Sequence, residues 1–421
     1  MLDLVRFEFK KLLARRTSQV ASAGILVLLC GIMALNVVQT KTESNSGEVL
    51  GGTAAIAERK AQIDAHEGVL TSERVQDEIA AYRQLAFSKV DPAEVEGLSD
   101  AAAYALMGEA YYTEEFQVIC DQYYAYLLSP WKAPGQEPYQ TAAQVDDATA
   151  AGFYDAVADE LQRALDDGMG GAWTYSDAER AYWTAKEGAV PEPLSYGYAG
   201  GWEDVLNCVG FLAFPLVAIC VVLTPVFAGE YQDRTDAVLL SSRYGRSKLV
   251  AAKIVASLLF AAAYYVLAAL VIVGVALAFF GAEGATLPVQ VMSLDIPYDL
   301  TMAEATFLTL GIGLLMALGF AGLVLLLSSK LRSQVAIFAV CVALVFLTGL
   351  IPIGGNGVLL HVLYLFPINA LNAQILFSTL VSYQAGPLVV DLAGVLAGLY
   401  ALVLVACVPA AAIAFRRHQV M

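Results

Sequence analysis

Residues 229–248 read GEYQDRTDAVLLSSRYGRSK, a charged stretch in an otherwise apolar half of the chain. Long apolar runs flank it at residues 205–228 and 249–280, and each can cross the roughly 30 Å hydrocarbon core of a bilayer as a helix. A stretch this polar between two spans must lie outside the lipid. Short cytoplasmic loops accumulate Lys and Arg, so its basic residues predict a cytoplasmic location. They are Arg234, Arg243, Arg246, Lys248 and, at the start of the next run, Lys253.

The whole composition agrees with a membrane protein. The chain has 421 residues, 58% of them hydrophobic, and a mean hydropathy of +0.62, which is too apolar for an ordinary soluble protein. We predict an all-α polytopic membrane protein with six transmembrane helices, at residues 17–38, 205–228, 249–280, 302–327, 335–353 and 387–415. Lys and Arg collect in the proposed inner segments and are missing from the two shorter outer loops, which predicts that both termini are cytoplasmic. A basic amphipathic segment at residues 1–16 would lie along the inner interface or form a plain basic flank.

Residues 39–203 form a large polar interval between the first two predicted spans. Most of the 40 acidic residues fall in it, which accounts for the net charge of −16. Its position predicts an extracytoplasmic acidic domain. Helical spacing recurs at residues 54–87, 100–128, 141–165 and 176–186, with Pro and Gly between these segments. Ser176 and Glu179 predict a capping box.

All four tryptophans lie in this interval, together with many tyrosines. One interpretation is a surface that stacks on an exported amphiphile, and the other is an aromatic core in a domain with few Leu and Ile residues. Trp202, beside the second predicted span, is expected to anchor at the membrane interface. The tyrosines concerned are Tyr104, Tyr111, Tyr112, Tyr123, Tyr124, Tyr126, Tyr154, Tyr175 and Tyr182.

The central charged stretch resembles the permease subunits of ABC-2 type exporters. In that family the second span runs into a Glu-x-x-x-x-Thr pattern, then a Leu-Leu-Ser turn, and a Lys opens the third span. The family usually has Gly before the Thr, where this chain has Arg234. The matching residues here are Glu230, Thr235, Leu239, Leu240, Ser241, Arg246 and Lys253.

The resemblance implies that two permeases, either two copies or a paralogous pair, sit above ABC ATPase subunits on the cytoplasmic face. ATP and magnesium would be bound by those subunits, so no cofactor is expected in this chain. The segment from residue 1 to 16 corresponds to the family's elbow helix. The residues expected to couple the permease to the ATPase are Glu230, Tyr231, Asp233, Arg234, Thr235, Asp236, Leu239, Leu240, Ser241 and Arg246.

Residues 354–386 lie between the last two predicted spans and carry no charge. Two short apolar pieces, broken at Pro367 and Asn369, predict an outer re-entrant hairpin packed against protein. The resembled family has a pair of short external helices here, above the translocation path. With Asp391, predicted one turn inside the last span, Pro367 and Asn369 are the candidate substrate-path residues. The predicted organisation is residues 1–38, the inserted domain at 39–203, and spans at 204–421 with a coupling loop at 229–248.

No catalytic motif is present. The sequence contains no Gly-x-x-x-x-Gly-Lys-Ser/Thr loop, no His-Glu-x-x-His and no Gly-x-Ser-x-Gly. Its six cysteines form no CxxC pair, so neither a disulfide framework nor a metal site is implied. We expect a non-enzymatic export permease of the bacterial cytoplasmic membrane that contacts lipid and no nucleic acid, and moves an amphipathic peptide, lipid or drug. The alternative is a non-transporting receptor or assembly factor whose acidic domain binds a peptide or envelope component.

Overall fold

The structure, a computed structural model, describes residues 1–108, 112–235, 238, 241, 245–352 and 355–417, and only the backbone of Arg246. The chain is an all-α polytopic membrane protein, 72% helical. Within the described residues, five helices are long and apolar enough to cross a membrane. They are the first span Arg16–Gln39, the second span Gly200–Val226, the third span Ser247–Phe280, the fourth span Met302–Lys330 and the C-terminal span Leu392–Arg416.

The remaining predicted span, at residues 335–353, is a shorter apolar helix. An α-helix at Gln334–Phe346 continues as a 3₁₀ turn at Leu347–Leu350. At 1.5 Å per residue this helix is about 25 Å long, less than a bilayer core of about 30 Å. The structure therefore provides five helices of spanning length and one shorter one, and the count of six stays a prediction.

The chain forms two compact units. The membrane unit contains Met1–Ala34, Val205–Ala276 and Thr306–Met421, and the inserted unit contains Leu35–Asp204 and Leu277–Ala305. The second part of the inserted unit was predicted as a short outer loop. It packs instead on the larger part: the Tyr126 hydroxyl donates to the carbonyl of Gln290, and the indole of Trp202 donates to the carbonyl of Ala282.

The inserted unit is mostly short helices with two small antiparallel strand pairs. The strand pairs are Lys41–Glu43 with Val49–Gly51, and Gly68–Val69 with Ser195–Tyr196. 3₁₀ turns lie at Ser129–Trp131 and Val289–Val291. The helices are Thr53–Asp64, Ser72–Ala86, Pro92–Val95, Asp100–Met107, Glu114–Ile119, Gln122–Leu127, Pro138–Gln144, Asp147–Ala151, Phe153–Gly171 and Asp177–Glu187.

The helical segments predicted at 54–87, 100–128 and 141–165 are each broken into shorter helices, whereas the one predicted at 176–186 is present as Asp177–Glu187. The segment at 54–87 breaks at Gly68, which has a φ of +142° and pairs as a strand with Tyr196. This pairing joins parts of the chain that are distant in sequence, so local helical spacing cannot reveal it. The capping box is confirmed: the backbone N–H of Glu179 donates to Ser176 Oγ, and the Glu179 carboxylate accepts the N–H of Ser176.

Aromatic side chains fill the core of the inserted unit. Trp183, Tyr82, Tyr123 and Tyr139 are fully buried, and Tyr82 donates to the carbonyl of Ile119. This confirms the core interpretation for Trp183 and Tyr123, whereas Tyr111 lies outside the described residues. Burial of such rings is the main apolar contribution available to a domain of this composition.

The second span is interrupted at both of its prolines. Its helices Gly200–Cys208 and Phe214–Leu223 are joined by a 3₁₀ turn at Val209–Ala213, and Thr224–Val226 forms a second 3₁₀ turn. Pro215 begins the helix that follows the first turn, and Pro225 lies in the second. Neighbouring groups satisfy polar backbone groups beside these interruptions, as a membrane helix requires.

Ser328 of the fourth span is the main neighbour at Pro225. Its fully buried Oγ accepts the N–H groups of Phe227 and Ala228, both at 3.0 Å, and donates to the carbonyl of Thr224 at 2.6 Å. The Thr224 hydroxyl in turn donates to the carbonyl of Cys220. One hydroxyl therefore joins the fourth span to the end of the second.

Between the shorter helix and the C-terminal span the chain forms pieces too short to cross a bilayer, as predicted. They are the helices Gly357–Leu363, Pro367–Ala370 and Ala373–Phe377 and the hairpin Ser382–Ala385 with Leu388–Asp391. The C-terminal span was expected to start at residue 387. It starts at Leu392 because residues 388–391 are paired as a strand.

Candidate functional site: the Glu230 junction

The central stretch begins as a short helix, Ala228–Gln232, that ends in a Schellman motif. The N–H of Thr235 donates to the carbonyl of Glu230 at 3.0 Å, and the N–H of Arg234 donates to the carbonyl of Tyr231 at 3.4 Å. Arg234 occupies the left-handed position of the motif, with a φ of +57°. Glycine adopts that conformation at least cost, which gives a physical reason for the Gly found before Thr in the resembled family.

Glu230 is buried at the centre of a set of charged side chains. Only 6% of it is exposed. Its Oε1 lies 2.8 Å from Nζ of Lys11 and 2.8 Å from Nζ of Lys253. Its Oε2 accepts the hydroxyl of Thr235. The Glu-x-x-x-x-Thr pattern is therefore a closed local unit, in which Thr235 bonds the backbone and the side chain of the same glutamate.

Lys253 of the third span completes the set. It is 3% exposed, and its ammonium lies 3.2 Å from Oε2 of Glu8, which is 6% exposed. The same ammonium donates to the carbonyl of Val226 at 3.4 Å. We call Glu8, Lys11, Glu230, Thr235 and Lys253 the Glu230 junction. It holds two acidic and two basic side chains, so its formal charge is balanced.

Burial by itself would raise the pKa of Glu230, since it disfavours the charged form. The charge of Lys253 and hydrogen bonds from Lys11, Lys253 and Thr235 outweigh it and lower the pKa to about 2. Glu230 is therefore ionised at physiological pH. Removing one member of such a buried pair leaves a charge without compensation, which makes the junction sensitive to single substitutions.

The N-terminal helix, Leu2–Ala14, supplies Glu8 and Lys11. Val5, Glu8 and Leu12 recur at helical spacing, so the acid lies on the stripe that faces the rest of the protein. Leu12 is buried, whereas Leu2 and Phe7 are exposed on other parts of the helix. The amphipathic helix predicted at residues 1–16 is confirmed, but Lys11 pairs with Glu230 instead of only facing lipid headgroups.

Two further side chains attach the short helix to the end of the fourth span and to the turn that follows it. The Tyr231 hydroxyl donates to the carbonyl of Ser329 at 2.9 Å, and the Gln232 amide donates to the carbonyl of Arg332 at 2.8 Å. Gln334, at the start of the shorter helix, donates to Oε1 of Gln232 at 2.7 Å. The segment after the second span therefore contacts the N-terminal helix, the third span, the fourth span and the shorter helix.

The other predicted coupling residues are less buried or lie outside the described residues. Asp233 and Arg234 are exposed. Ser241 is also exposed, and its hydroxyl donates to the carbonyl of Val238 at 3.0 Å. The predictions for Asp236, Leu239 and Leu240 fall outside the described residues, as does the side chain of Arg246, whose backbone belongs to the π-helical turn Gly245–Leu249.

The candidate substrate-path residues all have structural roles. Pro367 is buried at the start of a short helix, and the Asn369 amide donates to the carbonyl of Leu363 at 3.0 Å. Asp391 was predicted one turn inside the last span. It is instead the N-cap of the C-terminal span and accepts the N–H of Gly394 at 2.9 Å, because the helix begins one residue later. Their role in transport stays a prediction.

The sequence model of the ABC-2 family transporter proteins matches residues 4–418. The chain belongs to the ABC-2 transporter family. Comparisons with curated proteins and with solved structures gave no match. As an ABC-2 membrane protein the chain is a transmembrane permease component of an ABC transporter, a system in which a partner subunit generally carries the ATPase activity.

Two residues of the Glu230 junction, Glu8 and Lys11, were not assigned to a functional site from the sequence alone. Glu8 was not singled out from the sequence, although its spacing with Val5 and Leu12 is a usable signal. Lys11 was assigned to the lipid interface. Lys253 was recognised only as the basic residue that opens the third span, and nothing in the local sequence shows that it reaches both Glu8 and Glu230.

Proposed function

We propose that this permease belongs to an exporter and that the Glu230 junction transmits the motion of an ATPase subunit to the spans. The observation that carries this proposal is the position of the Glu230 carboxylate, 2.8 Å from both the Lys11 and the Lys253 ammonium groups. A single side chain therefore joins the segment after the second span to the N-terminal helix and the third span. Movement of any one of them alone is unfavourable, because it would separate opposite charges in a buried site.

In this proposal the exposed part of the segment, with Asp233 and Ser241, faces the cytoplasm and meets the ATPase. Closure of an ATPase dimer on ATP displaces that part. The Glu230 junction then moves the N-terminal helix and third span together, while Tyr231 and Gln232 move the chain at Ser329 and Arg332. The spans shift between inward-open and outward-open arrangements, and ATP binding biases that equilibrium.

The remaining parts of the proposal rest on charge and on the family. The distribution of Lys and Arg favours cytoplasmic termini and an extracytoplasmic inserted unit. Membership of the ABC-2 family favours a dimer of permeases in the bacterial cytoplasmic membrane. The substrate is amphipathic, and the acidic inserted unit favours a cationic one because a field of one sign raises the local concentration of counter-ions.

The test compares neighbouring lysines on the N-terminal helix. The permease is copurified with the ATPase encoded beside it, reconstituted in lipid, and assayed for permease-dependent ATP hydrolysis. Lys11→Met removes one partner of Glu230, whereas Lys10→Met removes an exposed charge one residue away. We expect Lys11→Met to keep the ATPase bound but to lower the stimulated rate by a factor within the usual range of coupling energies, about 5- to 150-fold.

Lys10→Met should leave the stimulated rate within about twofold of the wild type, as expected for an exposed surface charge. The proposal fails if no ATPase copurifies. It also fails if Lys11→Met and Lys10→Met behave alike.

A further inference from the structure

A small pocket in the inserted unit is formed by three parts of the chain that are distant in sequence. Tyr154 and Val157 of the helix Phe153–Gly171 line one side. Glu187, Glu192 and Leu194 line a second, and Gln290, Leu294 and Ile296 line the third. The walls are largely apolar, so each polar atom that faces the pocket needs a partner there.

Gln290 presents such an atom. The side chain is 2% exposed, and its Nε2 donates to the carbonyls of Ile296 at 2.7 Å and Tyr298 at 2.9 Å. These two bonds fix which end of the amide is the donor. Its Oε1 is buried and has no hydrogen-bond partner among the described residues. A buried acceptor without a partner is destabilising, so a hydrogen-bond donor is expected at this site.

Two acidic side chains also line this pocket, Glu187 partly buried and Glu192 exposed. Burial and the neighbouring charge of Glu192 raise the pKa of Glu187, and burial and the charge of Asp155 raise the pKa of Glu192. Neither glutamate forms an ion pair within the part of the chain that the structure describes. The one lysine adjacent in sequence, Lys186, has its ammonium 3.4 Å from the centre of the Tyr298 ring.

A second pair of carboxylates lies beside the pocket. Asp295 lies between the lining residues Leu294 and Ile296, and Glu160 is one helical turn beyond Val157. Each has a buried carboxylate oxygen without a partner among the described residues. Burial and the charge of Asp295 raise the pKa of Glu160 to about 7, although Arg163 opposes this. The region thus has excess negative charge and unsatisfied acceptors together.

We infer that this pocket binds a primary ammonium group carried on an apolar stem, as in a lysine side chain of an amphipathic peptide. The ammonium donates to Oε1 of Gln290 and compensates the charges of Glu187 and Glu192, while the stem packs on Val157 and Leu194. The free space at the centre is about 20 Å³, enough for one water-sized group. An ammonium head therefore fits, whereas a trimethylammonium head is larger and has no N–H to donate to Oε1 of Gln290.

Other occupants match the pocket less well. An anion would add to the negative charge of the carboxylates. A water molecule would satisfy Oε1 of Gln290 but leave the charge of the partly buried Glu187 carboxylate uncompensated. Within the described residues no group of three or more His, Cys, Asp or Glu side chains is arranged to hold a metal ion. The ammonium is the one common group that supplies the donors, the charge and the small size together.

The role of this site as a contact for the transported substrate rests on the proposed export function, whereas ammonium binding to the site does not. The test therefore uses the purified full-length permease without the ATPase. Hexylammonium is titrated calorimetrically, with hexyltrimethylammonium and hexanol as comparison ligands. The variant is Glu187→Gln with Glu192→Gln, and the matched control is Glu94→Gln with Glu96→Gln, which removes the same charge from exposed positions of the inserted unit.

We expect hexylammonium to bind the wild type and the control variant equally. The Glu187→Gln and Glu192→Gln variant should bind it at least about fivefold more weakly, from the loss of two nearby charges. The two comparison ligands should not bind. A thermal unfolding curve within error of the wild type shows that the variant is folded, and Glu160→Gln provides a second variant if it is not.

Three results would overturn the inference: equal binding of hexylammonium and hexyltrimethylammonium, equal binding by both double variants, or no binding at all. Binding of hexylammonium as expected, together with no ATP-driven transport of amphipathic amines when the ATPase is present, would support the binding site and contradict the proposed export function. Transport that is unchanged in the Glu187→Gln and Glu192→Gln variant, with binding lost, removes only the site's role as a substrate contact.

Discussion

The carboxylate of Glu230 and the ammonium of Lys253 lie 2.8 Å apart with both side chains almost completely buried. One belongs to the short helix after the second span and the other to the third span. Their contact explains why residues 229–235, at the start of the polar stretch, do not form a loose surface loop. They are attached to the spans by charges that cannot separate without loss of stabilisation.

Lys253→Met should be strongly destabilising on its own. It leaves Glu8 buried without its lysine, and breaking one side of a buried ion pair costs roughly 3–5 kcal/mol. Adding Glu8→Gln removes the uncompensated charge and leaves the pair of Glu230 with Lys11 in place. We therefore expect the Glu8→Gln and Lys253→Met double variant to be more stable than Lys253→Met alone.

Thermal unfolding of the purified protein measures this prediction. Lys330→Met, at an exposed lysine at the end of the fourth span, is the control and should shift the unfolding temperature little. If the double variant unfolds at the same temperature as Lys253→Met, or lower, the charge of Glu8 is not what Lys253 compensates.

The stabilisation from Glu230 should depend on pH in one direction. Its pKa in the folded protein is about 2, below the value of about 4.3 for an unperturbed glutamate. The stabilisation is therefore fully present above about pH 4.3 and is lost as the pH falls towards 2. Its full size is on the order of 2–3 kcal/mol.

The measurement is the difference in unfolding temperature between the wild type and Glu230→Gln, taken from pH 6 down to pH 3. That difference should shrink as the pH falls. Asp233→Asn, at the exposed end of the same short helix, is the control. A difference that stays constant over the range would argue against the low pKa of Glu230.

Ser328 and Ser329 provide a matched pair for testing how side-chain hydrogen bonds stabilise the backbone beside Pro225. The Ser328 hydroxyl bonds three backbone groups of another part of the chain, whereas the Ser329 hydroxyl donates only to the carbonyl of Leu326 in its own helix. Ser328→Ala leaves buried N–H groups without a partner and should cost roughly 1–3 kcal/mol. Ser329→Ala should cost clearly less. Equal unfolding temperatures for the two variants would contradict this role of Ser328.

Arg234→Gly should preserve or raise stability although it removes a charge. Arg234 has a φ of +57°, a conformation that costs a residue with a Cβ roughly 1–2 kcal/mol. Arg234→Val should lower stability, because a β-branched side chain tolerates that conformation worst. If thermal unfolding shows Arg234→Gly to be the less stable of the two, the Schellman motif does not form as described.

The sequence predicted those features of the fold that depend on local pattern. The long apolar runs and the capping box at Ser176 both appear in the structure because each is decided within a few residues. The break at Gly68 was missed, since it depends on pairing with Tyr196 more than a hundred residues away.

The same distinction holds for the candidate site. Glu230 and Thr235 were identified from their spacing, and the structure explains that spacing by a local motif. The partners of Glu230 were not predicted, because Lys11 and Lys253 reach it from different helices. Neither was the position of Asp391 as a cap, which depends on the strand that precedes the helix.

The central claim is that the segment containing Glu230 faces the cytoplasm and receives the motion of an ATPase subunit there. Its most direct test is Ser241→Cys, in a chain whose own six cysteines are replaced, treated with a membrane-impermeant maleimide in intact cells. Glu94→Cys in the inserted unit is the matched control. We predict that position 94 is labelled in intact cells and position 241 only after the membrane is permeabilised. Labelling of position 241 in intact cells, at a rate similar to that of position 94, would contradict the account.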